Sequence, residues 1–173
     1  MEETKKISII GTTTRYNMKK AMKIEKQIIA KKSSIKFKED DFIYERQSEN
    51  LLSTGLCKDA ESEIKKKISG YKQQDIKKNV YEPENFITYE YCLEQLRQCE
   101  LRCLYCKEEI LFVYKNVRAP RQWSVDRIDN EKGHIIGNIV IACLECNLKR
   151  RCRTKEKYLF TASLSIKREG IDY

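Results

Sequence analysis

Two Cys-x-x-Cys pairs, Cys103/Cys106 and Cys143/Cys146, stand on either side of Val125-Asp126-Arg127-Ile128-Asp129, and the second pair runs directly into Asn147. Each pair offers two thiolates at the reach of one tetrahedral Zn²⁺, so four soft ligands from separate parts of the chain can close one structural site. Such a metal would clamp the 36 residues between the pairs. In and beside that stretch a carboxylate, an amide and a histidine are candidates for a second, catalytic metal site. Structure and chemistry would then be divided between two ions.

Short elements are expected to position these groups. Trp123 to Ile128 reads as a strand. Asp129-Asn130-Glu131-Lys132-Gly133 and Gly137-Asn138 are turn formers, and Ile139 to Ala142 reads as a buried strand. From Cys146 to Ile166 few helix breakers occur, which predicts one helix, and the apolar run Ile110 to Tyr114 predicts a further strand. Upstream, Ile64, Ile68 and Tyr71 predict a helix after Asp59, weakened towards its end by Gly70. Thr88 is placed to cap a helix that carries Tyr89, Cys92, Leu93 and Leu96 on one stripe. From Arg15 to Lys38 nine basic residues and one acid, interleaved with Met and Ile, predict a basic helix or a solvated arm. The expected fold class is α+β, with a basic, mainly helical extension over residues 1–85 and a zinc domain over 86–173.

Composition narrows the partner. The chain has 173 residues, a net charge of +9 and a pI near 9.1, a balance suited to a polyanion. The N-terminus lacks the apolar run of a signal peptide, and no stretch approaches the ~20 apolar residues that span a bilayer. An intracellular setting is expected, where paired cysteines favour metal over disulfides. Cys57, Cys92, Cys99 and Cys152 fall outside the pairs and are expected to be small buried hydrophobes. Tyr71, Tyr81, Tyr89, Tyr91 and Tyr114 are expected to pack in the core rather than to stack on bases.

With these residues in place, Trp123 to Arg151 resembles the HNH endonuclease family, whose site is a ββα-metal finger. The resemblance rests on Ser124-Val125-Asp126-Arg127-Ile128-Asp129-Asn130, Gly133-His134, Gly137-Asn138-Ile139-Val140 and Cys143-Leu144-Glu145-Cys146-Asn147. It is closest to a branch found in phages and large DNA viruses, which implies a virus-encoded protein, and it covers roughly residues 100 to 155. The resemblance implies that Asp126 and Asn147 bind a catalytic divalent ion, and that Asn138 pins the finger loop. Oxygen donors of this kind suit Mg²⁺ or Mn²⁺, and the implied reaction is phosphodiester hydrolysis.

The chain departs from the family where the general base belongs. The usual histidine after the metal-binding Asp is Arg127, which stays protonated at neutral pH and is suited to hold phosphate rather than take a proton. Three candidates remain for water activation. They are His134, the one histidine of the chain; Asp129, as ligand or base; and hydroxide on the metal, with Arg127 orienting the phosphate. Downstream, Lys149, Arg150, Arg151, Arg153, Lys155 and Lys157 crowd the expected helix against one acid, Glu156. Part of this charge can offset a four-thiolate zinc centre, and the remainder is expected to face phosphate. The leading expectation is a metal-dependent HNH-type endonuclease or nickase acting on DNA, with a homodimer or larger assembly left open. The competing expectation is a zinc module that has lost its base and binds nucleic acid or serves in assembly.

Overall fold

A computed structural model describes residues 29–52 and 56–163. Five α-helices and one two-stranded antiparallel sheet make up its regular structure: α1 (Tyr44–Leu52), α2 (Lys58–Lys77), α3 (Tyr89–Gln98), β1 (Trp123–Arg127), β2 (Ile139–Cys143), α4 (Leu144–Arg150) and α5 (Lys155–Ser163). Mixed helix and a small sheet agree with the α+β expectation. No helix among the described residues is long and apolar enough to cross a membrane.

The long helix α2 follows from its pattern. Asp59 and Glu61 sit in its first turn, where carboxylates complement the N-terminal dipole. Ala60, Ile64, Ile68, Tyr71 and Asp75 form its buried stripe. Gly70 would carry a Cβ into open space, so it weakens the helix without any packing role. Helix α3 begins where Thr88 accepts a hydrogen bond from the Tyr91 amide at 3.2 Å, and it buries Cys92 and Leu96. Of the basic segment from Arg15 to Lys38, residues up to 28 lie outside the described residues. The part that is described contains a single 3-10 turn, Lys32–Lys36, rather than an α-helix.

The sheet is a hairpin in register Trp123 with Cys143, Val125 with Ile141 and Arg127 with Ile139. Its core side joins Trp123, Val125, Ile139 and Ile141 to Ile64, Ile68 and Tyr71 of α2 and to Cys92 and Leu96 of α3 in one apolar cluster. The Tyr71 hydroxyl accepts from the Val125 amide at 2.9 Å, tying α2 to β1 directly.

Two expected elements take another form. Ile110 to Tyr114 is buried but is not a strand. The side-chain amide of Gln47, 1% exposed, accepts from the Phe112 and Val113 amides and donates to the Val113 carbonyl. A buried glutamine thus satisfies Phe112 and Val113, while Leu111 makes only a single parallel bridge to Gln122, so no strand extends over the run. The helix expected from Cys146 to Ile166 instead starts at Leu144 and breaks after Arg150, where Arg151 adopts φ 55°. The chain turns there so that α5 can return Tyr158 against Tyr105, with ring centroids 4.9 Å apart.

Candidate functional site

The four paired cysteines converge. Their sulfurs all lie within 4.8 Å of one another, and the Cys106 and Cys143 Sγ atoms are 3.9 Å apart. A tetrahedron with Zn–S bonds of about 2.3 Å has edges of about 3.8 Å, so the cluster could hold a metal ion such as zinc. Local structure explains the convergence. Lys107 takes φ 62° and returns its amide to the Cys103 carbonyl, closing a tight turn around the first pair. The Leu104 amide donates to Ile141, which fixes that turn to β2. Cys143 ends β2 and caps α4, its sulfur accepting from the Cys146 amide at 3.3 Å.

The electrostatics already favour thiolate at one ligand. Cys103 is held down to about 4 by a hydrogen bond from the Cys143 thiol, helped by backbone amides around it. Cys143 is pushed up because its proton is shared with Cys103, and burial pushes Cys146 up to about 11. A cation at the centre would release the remaining protons. Of the other cysteines, Cys92 is buried and Cys99 half-buried. Cys57 and Cys152 are exposed, contrary to expectation, because they flank helices at surface turns.

Asp126 and Asn147 both lie at the interface of β1 and α4, each bonded to other partners. The Asn147 amide donates to the Ser124 Oγ and to the Val125 carbonyl, each at 3.1 Å. Asp126 is 4% exposed, and both its oxygens are engaged: Oδ2 accepts from the Tyr105 hydroxyl at 2.6 Å and Oδ1 from the Arg150 guanidinium at 3.2 Å. Burial raises the pKa of this carboxyl, opposed by Tyr105 and Arg150. Arg150, expected among the phosphate-facing residues, is fully buried, because its guanidinium is drawn to Asp126 and to the carbonyls of Arg127 and Ile128.

The loop over residues 128–138 carries the remaining candidates. Asn138 accepts from the Asp129 amide at 2.9 Å and donates to the Asp129 and Gly133 carbonyls at 3.0 Å, closing the loop on itself. Arg127 turns to the carbonyls of Asn130 and Lys132. Asp129 is exposed and caps the Glu131 amide. His134 is buried against α2, its ring stacked on Tyr71 at 4.6 Å and its Nδ1 2.7 Å from an Asp75 oxygen. The other Asp75 oxygen accepts from the His134 amide. Burial lowers the His134 pKa, with Asp75 opposing, which favours the neutral ring. Asp129 and His134 therefore belong to the loop, to which Arg127 turns its side chain from the end of β1, whereas Asp126, Asn147 and Arg150 belong to the strand–helix interface.

Lys149, Arg151, Arg153 and Lys157 are exposed and Lys155 is half-buried. Between α4 and α5 lies an open depression of about 1070 Å³, lined by Cys106, Arg121, Lys149, Arg151, Arg153 and Tyr158 among others. Its positive charge is partly countered: Lys149 pairs with Glu145 at 2.7 Å and Arg121 with Glu108 at 3.4 Å.

Three groups that shape this site, Tyr105, Arg150 as a partner of Asp126, and Asp75, and one that holds the neighbouring run, Gln47, are not among the residues singled out from sequence. Asp75 carried a signal, since a carboxylate in the helical stripe of Ile64, Ile68 and Tyr71 demands a buried partner. Gln47 carried none. Comparison of the chain with models of protein families, with curated proteins and with solved structures yields no match.

Proposed function

We propose that the chain is a zinc-stapled, metal-dependent endonuclease or nickase of the HNH type that hydrolyses phosphodiester bonds in DNA. The observation that carries this reading is the direct run of the β1–β2 hairpin into α4. It puts Asp126 and Asn147 on one interface, with the Asn138-closed loop beside them and the cysteine cluster at their base. In this reading Cys103, Cys106, Cys143 and Cys146 bind Zn²⁺ and make the fold depend on it. Asp126, on giving up its contact with Arg150, and Asn147 would offer the oxygen donors that Mg²⁺ or Mn²⁺ takes. When bound, such an ion supplies charge stabilisation to the leaving oxygen and to phosphorus.

The residues of the chain do the rest. Lys149, Arg151, Arg153 and Lys157 face solvent, where they can follow a phosphate backbone. Arg127 is oriented by two loop carbonyls and can hold a phosphate oxygen with its remaining donors. For proton transfer, His134 is neutral and oriented by Asp75, which leaves Nε2 as its basic atom. Asp129 is an exposed carboxylate in the same loop.

A second reading has its own support. The Asp126–Arg150 pair and the absence of histidine at position 127 favour a module that binds nucleic acid, or serves in assembly, without cleaving. Incubation with supercoiled plasmid and Mg²⁺ or Mn²⁺ separates the two. Nicking by the wild type, lost in Asp126→Ala and Asn147→Ala, is the expected result. Binding without nicking, with log affinity falling by about 0.9 per neutralised phosphate against log salt, would transfer the assignment to the module.

A further inference from the structure

Arg150 is the most enclosed cation of the described residues. Its side chain is 1% exposed. Nη1 donates to Asp126 Oδ1 at 3.2 Å and to the Arg151 carbonyl at 3.4 Å, and Nη2 to the Arg127 and Ile128 carbonyls at 2.7 and 2.8 Å. Nε has no partner, the one buried side-chain nitrogen or oxygen among the described residues in that condition. The guanidinium is therefore held at one end by an oxygen cage, and its other end gives up a hydrogen bond to keep it there. The one carboxylate in that cage, Asp126, is also the kind of oxygen ligand a hard divalent cation accepts.

We propose that Arg150 is a built-in cation that takes the place of a divalent ion at Asp126, so that the guanidinium and the metal compete for the Asp126 carboxylate. The proposal rests on the assignment of Asp126 as a metal ligand under the proposed function. An ionised Asp126 buried at 4% exposure needs a cation beside it, and Arg150 supplies one without any ion. A divalent ion bound there with Arg150 still in place would meet a unit positive charge within a few ångströms, in a poorly screened interior. Loading therefore requires the guanidinium to leave, and its chain neighbours Lys149 and Arg151 are exposed to a bound polyanion. A phosphodiester bound there would offer it a replacement anion, coupling nucleic-acid binding to metal entry.

The test is a Mn²⁺ titration of the full-length, zinc-loaded protein, with free Mn²⁺ read by electron paramagnetic resonance. Mn²⁺ has little affinity for the thiolate site, so the signal reports oxygen ligation. Arg150→Met is expected to bind Mn²⁺ about tenfold or more tightly than the wild type, which is about 1.4 kcal/mol per decade. Arg150→Lys, which keeps a charge but cannot span the cage, should fall between them. The Asp126→Asn/Arg150→Met double variant should lose the gain. Circular dichroism reports folding, and if Arg150→Met does not fold, Arg150→Lys decides by the same comparison. Binding no tighter than wild type in the folded variants, or a gain that survives Asp126→Asn, overturns the proposal. Failure of the nuclease reading would appear separately, as wild-type protein that binds Mn²⁺ at Asp126 yet leaves plasmid intact.

Discussion

Replacing Asn138 with alanine removes three hydrogen bonds at once from a side chain that is 7% exposed: one accepted from the Asp129 amide and two donated to the Asp129 and Gly133 carbonyls. A net value of about 0.5–1.5 kcal/mol per bond puts the loss near 2–4 kcal/mol, weighted upwards for the buried Gly133 carbonyl left without this donor. At about 2–4 °C per kcal/mol for a chain of this size, the zinc-loaded protein should melt about 5–15 °C lower by circular dichroism. Asn138→Asp retains the acceptor for the Asp129 amide but loses both donors, so it should recover at most a third of the deficit. Hydrogen exchange locates the effect, since the Asp129 amide should lose protection in the alanine variant and keep it in the aspartate variant. A fall of less than about 1 kcal/mol, or unchanged protection at Asp129, would refute the view that this amide closes the loop.

With Zn²⁺ at the four cysteines, chelation should unfold the region around β1, β2 and α4, because the ion would join the two turns; loss of secondary structure on adding a strong chelator, and its return with Zn²⁺, checks this. Gly133→Ala would place a Cβ 2.3 Å from the Val80 carbonyl and 2.9 Å from an Asp75 oxygen, so it should destabilise by about 1–3 kcal/mol in a denaturant titration. The folded-state pKa of His134 lies below its unfolded value, so its contribution is intact above about pH 6.5 and is lost as pH falls towards the folded pKa. The difference in melting temperature between wild type and His134→Gln should therefore shrink from pH 8 to pH 5. A difference that grows on acidification would reverse the assignment of a buried neutral ring.

Much of the local structure was legible because it depends on neighbours in sequence. The Thr88 cap, the stripe of Ile64, Ile68 and Tyr71, and the strands at Trp123 and Ile139 follow from spacing and turn chemistry alone. The two cysteine pairs were equally plain, since ligand spacing within a pair is a local property. Ile110 to Tyr114 misled because burial and strand formation share one apolar signature, and the deciding partner, Gln47, lies 65 residues away.

The sequence by itself determined which residue types were on hand for chemistry and how short segments would fold: four thiolates in two pairs, a carboxylate before Arg127, an asparagine at each bend, and a basic stretch after Asn147. Only the tertiary structure decided what each side chain spends itself on. Arg150 turned inward to Asp126 while its neighbours Lys149 and Arg151 stayed in solvent, and His134 went to Asp75 on α2 rather than towards Asp126. The physical reason is common to both. A buried charge or ring nitrogen must find a partner, and which partner lies within about 3 Å depends on how remote segments pack.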